Sequence, residues 1–136
     1  MEQRQLGGSD VKITPIVLGT WAVGGWMWGG TEDAAALRAI EAAIDAGVTS
    51  IDTAPIYGFG HAEELVGKVI AGKRQKVQIL TKFGLRWDGA KGEEFFDTKG
   101  PDGRALKVRR VAAGESVIDE CERSLRRLGI DVIDLY

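Results

Sequence analysis

The sequence predicts an α/β fold with a parallel sheet, preceded by a small β-hairpin. Three observations predict it. Short apolar runs alternate with stretches of helical periodicity. The runs near residues 16, 49 and 77 begin about 30 residues apart, the size of a βαβ step. The composition is that of an ordinary globular domain, 44% hydrophobic and 28% charged over 136 residues, which argues against a disordered or fibrous chain. Glycine is abundant, at 19 residues, but follows no Gly-X-Y period, so the surplus belongs to loops.

The elements follow in order. Arg4-Gln5-Leu6 and Val11-Lys12-Ile13 alternate in polarity around Gly7-Gly8-Ser9-Asp10, which reads as a hairpin. Ile16 to Trp21 is a continuous apolar run, the pattern of a strand buried on both faces. Ala22 to Gly30 is a glycine-rich loop carrying Trp26 and Trp28, which either line a pocket or cap the neighbouring elements. Thr31 reads as the N-cap of a helix with Leu37, Ile40 and Ile44 on one face and Gly47 as its terminator. The unit repeats: Val48 to Thr53 is a strand, Ala54 to Gly60 a loop, and Ala62 to Ala71 a helix stopped by Gly72. Val77 to Lys82 is a third strand. Residues 84–113 form a long charged loop with a turn at Pro101-Asp102-Gly103. Trp87 and Phe95-Phe96 in that loop pack it down or reach a ligand. Gly114 to Leu128 is a helix with Val117, Cys121, Leu125 and Leu128 on one face, and Val132 to Tyr136 is a fourth strand. A complete (β/α)8 TIM barrel needs about 250 residues. Residues 1–136 therefore read as one partial domain, a hairpin plus the first half of such a barrel, with an open strand edge available for self-association.

Several function classes lose support at once. The net charge is −2, which gives no electrostatic reason to expect nucleic acid or an anionic membrane. One cysteine and one histidine exclude a disulfide framework and a Cys-rich or multi-His metal centre, and no metal site is expected. The polar N-terminus and the absence of a long apolar run point to a cytoplasmic protein with no membrane span.

The chemistry-bearing residues gather at strand ends. Asp52 ends one apolar strand, and an acid there is costly to bury without a partner. Lys82 ends the next. Neighbouring strands lie about 4.8 Å apart, so the two can meet, with Tyr57 folding over them from the loop between Pro55 and Gly58. A tyrosine hydroxyl rarely donates a proton at neutral pH. A nearby ammonium favours the phenolate, and a carboxylate beside the ammonium holds it in place. Such a group is suited to protonating an oxyanion.

Five motifs together carry a resemblance. They are Leu18-Gly19-Thr20-Trp21, Ile51-Asp52-Thr53-Ala54 followed by Tyr57-Gly58, Glu63-Glu64-Leu65-Val66-Gly67, Leu80-Thr81-Lys82-Phe83 and Ile133-Asp134-Leu135-Tyr136. As a set, and in this order, they resemble the aldo-keto reductase superfamily. The Trp21 to Gly30 stretch is similar to the bacterial general-stress-protein type. The resemblance implies a (β/α)8 barrel that reduces small aldehydes and ketones with NADP(H). It implies Tyr57 as proton donor, tuned by Asp52 and Lys82. It places Gly19, Thr20, Trp21 and Asp52 at the nicotinamide end of the cofactor. The family's fourth catalytic residue is a histidine two positions past the Asp-Leu-Tyr motif, and this sequence ends at Tyr136. His61 lies in a different loop and is expected to be solvated, as are Arg109-Arg110 and Arg126-Arg127. The alternative reading is a non-catalytic half-barrel acting as a self-associating or partner-binding module.

Overall fold

The structure is a computed structural model, and it describes residues 1–30 and 32–136. Thr31, the expected helix cap, lies outside them. The hairpin pairs β1 (Arg4–Gln5) with β2 (Lys12–Ile13) antiparallel, and Leu6 N–H closes its turn on Val11 O at 2.9 Å.

Three parallel strands follow in sequence order: β3 (Leu18–Gly19), β4 (Ser50–Asp52) and β5 (Gln78–Leu80). Gly19 lies opposite Asp52, which lies opposite Leu80. The expected fourth strand is reduced to one parallel bridge, Leu80 to Leu135, extended by Thr81 N–H donating to Leu135 O. The run from Ile16 was expected to be buried on both faces. Ile16 is instead 62% exposed and Gly19 is exposed, because β3 is the edge of this sheet.

Helices α1 (Asp33–Asp45) and α2 (His61–Ile70) cross between the strands. Helix α1 stops where Gly47 adopts φ +86°, the left-handed conformation glycine tolerates. Helix α2 carries Glu63 and Glu64 in its first turn and Lys68 in its last, matching the helix dipole. Ile40, Ile51, Val66, Val69, Ile70, Val77, Ile79 and Leu128 form the core between helices and sheet.

Helix α3 (Gly114–Leu128) departs from its apolar pattern. Its most buried stripe is Ser116, Glu120, Ser124 and Leu128: Leu128 is buried as expected, but the other three lie one position before the expected Val117, Cys121 and Leu125, and Cys121 is only half-buried. Hydrogen bonds explain the shift. Glu120 accepts from Ser116 Oγ at 2.9 Å and from Gly84 N–H at 2.9 Å, so its polar atoms are satisfied where they are buried.

The segment 84–113, expected as a loop, holds a second sheet. Strands β6 (Leu85–Arg86), β7 (Glu93–Lys99) and β8 (Ala105–Arg110) pair antiparallel in the order β6-β8-β7, with an irregularity between Glu94 and Phe96. The expected turn is there: Gly100 N–H donates to Arg104 O, and Gly103 has φ +76°. Charged strand residues concealed this sheet in the sequence. Its inner face buries Val108 against Ala54 and Ile56, with Trp26, Phe59, Trp87 and Phe96 packed around them.

A charge cluster ties the second sheet to α3. Arg86 pairs with Asp88 and, at 2.9 Å, with Asp119, while Arg123 bonds Asp88 at 2.9 Å. The hydrogen bond from Arg86 holds the Asp88 carboxyl below its usual range, outweighing the opposing effect of burial. A depressed carboxyl contributes stability that is full above its ordinary value near 3.8 and is lost as pH falls through its folded-state value. Asp88→Asn is therefore expected to lower the urea midpoint at neutral pH. The difference from the parent should shrink towards zero as the solution is acidified to about pH 2.

Candidate active site

The site sits at the C-terminal ends of the three parallel strands, where α/β folds place ligands. The backbone there is held by a ladder that continues past the strands. Thr20 N–H and Thr20 Oγ1 both donate to Asp52 O at 3.0 Å, and Thr53 N–H donates to Leu80 O at 2.8 Å. Thr20 was expected to line the ligand pocket. It is fully buried with its hydroxyl committed to Asp52 O, so it supports the strand ends from beneath. Gly19 was expected at the nicotinamide end of the cofactor. Among the described residues, apart from its chain neighbours, nothing lies within 4 Å of where its Cβ would be.

Asp52, Lys82 and Tyr57 come together as expected. The Lys82 ammonium donates to Asp52 Oδ1 at 2.7 Å and to Thr53 O at 2.9 Å, and it lies 5.0 Å from the centroid of the Tyr57 ring. The pair is open to solvent, with Lys82 46% and Asp52 35% exposed, so a ligand can reach it. Tyr57 is held by its backbone: its N–H donates to Ala54 O, and its carbonyl accepts from Ala62 N–H in α2. Trp21 stacks on the Tyr57 ring at 5.9 Å with 13° between planes.

Two glycines set the height of Tyr57. A Cβ on Gly24 would lie 2.7 Å from Tyr57 C and O, and a Cβ on Gly58, at φ +64°, would overlap the Gly24 backbone. The Trp21 to Gly30 loop and the Tyr57 loop therefore meet main chain to main chain.

Beneath the site lies an ion pair that the sequence did not reveal. Glu63 is fully buried, accepting from Thr81 Oγ1 at 2.7 Å and from Arg127 Nε at 2.6 Å. Arg127 was expected to be solvated. It is drawn inward because the buried carboxylate needs a counter-charge, and it links α2, α3 and the residue preceding Lys82. A glutamate in the first turn of a helix looks like an ordinary dipole partner, so the signal was masked. His61 stands apart from the cluster, paired with Asp33 across the helix starts at 2.7 Å.

A cleft of about 650 Å³ opens beside Tyr57 and Lys82, lined by Trp21, Trp26, Met27, Ile56, Leu85 and strand β7. It tests what the site can hold. A flat aromatic pair beside an accessible carboxylate suits the nicotinamide and ribose end of a dinucleotide. Among the described residues Lys82 is the one cation lining this cleft, and Asp52 engages it, so the phosphate end finds no counterpart among them. Among the described residues no helix is long and apolar enough to cross a membrane, and no cluster of His, Cys, Asp and Glu could hold a metal.

Known proteins resemble this chain along nearly its whole length. The sequence model of the Aldo/keto reductase family matches residues 15–136. The chain is 43% identical to aldo-keto reductase YhdN of Bacillus subtilis over all of its length and 37% of that protein. It is 38% identical to the NADH-specific methylglyoxal reductase of Escherichia coli, over all of its length and 41% of that protein. Among solved structures it superposes on glycerol dehydrogenase AKR11B4 from Gluconobacter oxydans with a TM-score of 0.74 and 42% identity, covering 96% of this chain and 37% of that one. An aldo/keto reductase from Klebsiella pneumoniae in complex with NADP and acetate gives a TM-score of 0.60 at 30% identity, covering 90% and 34%. The chain thus spans about two fifths of the length of the curated relatives it matches.

Proposed function

Given that the chain belongs to the aldo/keto reductase family, we propose that it is the first half of a (β/α)8 barrel that reduces aldehydes and ketones to alcohols with NADP(H). The observation that supports this most directly is the Asp52–Lys82–Tyr57 constellation at the strand ends. Bound at this site, the reduced nicotinamide supplies a hydride to the carbonyl carbon. Tyr57 gives its hydroxyl proton to the carbonyl oxygen as negative charge develops there. Lys82 then faces the phenolate and stabilises it by charge, and Asp52 keeps the ammonium in position. Trp21, stacked on Tyr57, would form one wall for a bound nicotinamide, and Asp52 would accept from the neighbouring ribose. Gly19, with open space above it, leaves room for that end of the dinucleotide. The family's histidine, expected two positions beyond Tyr136, lies outside this sequence, as do the phosphate contacts.

The test is loss of NADPH absorbance with 4-nitrobenzaldehyde, using protein expressed from its complete coding sequence. Turnover dependent on both reactants is expected, and NADH is run beside NADPH to fix the preferred form. Absence of turnover in a folded preparation rejects the reading. One observation favours the alternative, a half-barrel that self-associates or binds a partner: the β3 edge and Val132 at 64% exposure leave apolar surface at the rim of the sheet. A folded, inactive chain that elutes as a dimer would support that alternative.

A further inference from the structure

Resting on the reductase reading above, we infer that Glu63 and Glu120 are positioning residues, two buried carboxylates that grip the chain on either side of Lys82 and so aim its ammonium at Tyr57. Among the described residues they are the only buried carboxylates, at 0% and 5% exposure. They come from different helices, Glu63 from α2 and Glu120 from α3. Glu63 accepts from the Thr81 hydroxyl at 2.7 Å, one residue before Lys82. Glu120 accepts from Gly84 N–H at 2.9 Å, two residues after it.

The segment between these two grips has little else to hold it. Strand β5 ends at Leu80, and Thr81 N–H makes the last ladder bond, to Leu135 O at 3.0 Å. Gly84 is fixed again, its carbonyl accepting from Val111 N–H at 3.0 Å. Among the described residues no backbone hydrogen bond engages Lys82 or Phe83. Successive side chains of an extended chain point to opposite sides. The rotation that seats Thr81 on Glu63 therefore turns Lys82 the other way, towards Asp52 at 2.7 Å and the Tyr57 ring at 5.0 Å.

A carboxylate is costly to bury, and an apolar side chain would fill either place more cheaply. Arg127 offsets the charge of Glu63. Glu120 pairs with no cation among the described residues, and its other donor is Ser116 Oγ at 2.9 Å. What a carboxylate supplies and an apolar group cannot is a directed acceptor. In both residues one oxygen is spent beside the lysine that faces the proton donor. That is where accuracy matters most, because about 1 Å of misplacement at reacting groups can cost about a hundredfold in rate.

The test uses protein expressed from its complete coding sequence and two readouts. One is NADPH-dependent turnover of 4-nitrobenzaldehyde. The other is the rate at which acetic anhydride acetylates Lys82, read by mass spectrometry against the exposed Lys91. Thr81→Val and Glu120→Met each remove one grip. Both are expected to lower kcat about tenfold with KM little changed. Both should also acetylate Lys82 faster than the parent, as its ammonium leaves Asp52. Thr81→Ser keeps the hydroxyl and Glu120→Gln keeps the acceptor, so these two should restore both readouts. A role in stability alone would leave Lys82 at its parental reactivity. Parental kcat or parental acetylation in Thr81→Val, or a Ser variant as impaired as the Val variant, overturns the inference. Thr81→Val exchanges a hydroxyl for a methyl of the same shape, and it decides alone if Glu120→Met does not fold. If the parent reduces no carbonyl, the reductase reading fails, and the acetylation rates still decide whether the two carboxylates hold the lysine.

Discussion

Replacing Tyr57 by Phe is expected to reduce aldehyde turnover by about a thousandfold, the middle of the range for a lost general acid. The change removes one oxygen and keeps the ring. Stacking on Trp21 and the packing under Lys82 should persist, since both involve the ring face. Dinucleotide affinity should therefore change little, and kcat should carry the loss. Lys82→Met should also lower kcat, because the phenolate then forms without its neighbouring charge. It should perturb Asp52 as well, leaving a carboxylate without its 2.7 Å partner. Stopped-flow turnover and fluorescence titration of the dinucleotide separate the two effects. Turnover retained in Tyr57→Phe removes Tyr57 from the mechanism.

The largest stability effect is expected at Glu63. Its side chain is fully buried, and it satisfies both Thr81 and Arg127. Glu63→Leu leaves the Arg127 guanidinium, only 20% exposed, without its counter-charge. Breaking a buried pair from one side costs about 3–5 kcal/mol, because the remaining charge is stranded. Thermal unfolding should shift down accordingly. The double change Glu63→Leu with Arg127→Leu should recover much of the loss, since no charge is then left uncompensated. A double variant as unstable as the single one would mean that the pair contributes through packing and not through charge.

The legible parts of this chain were those written in one local code. Helices α1 and α2 followed apolar spacing, and Gly47 ended α1 where it was expected to. Asp52, Tyr57 and Lys82 were readable because each stands at a strand end or in the loop just after one. What escaped was set by distant partners. The polar stripe of α3 is buried because Glu120 is satisfied by Gly84, 36 residues away. Arg127 looked like a surface base until Glu63, 64 residues earlier, called it inward. The second sheet escaped because its strands carry many charged residues on a half-exposed surface, and the surplus charge resembled a loop. Thr20 sat in a recognised motif, yet its hydroxyl serves the backbone, a role that no residue type announces.

The glycine contact between the two loops has a mechanical consequence. Gly24 and Gly58 touch through their backbones, and neither has a side chain that can rotate away. No compliant layer separates the tryptophan loop from the loop bearing Tyr57. A displacement of one is delivered to the other with little attenuation, because a close-packed contact compresses poorly. The backbone that carries the tyrosine and the backbone of the tryptophan loop are therefore coupled, and a side chain added at either glycine should move both.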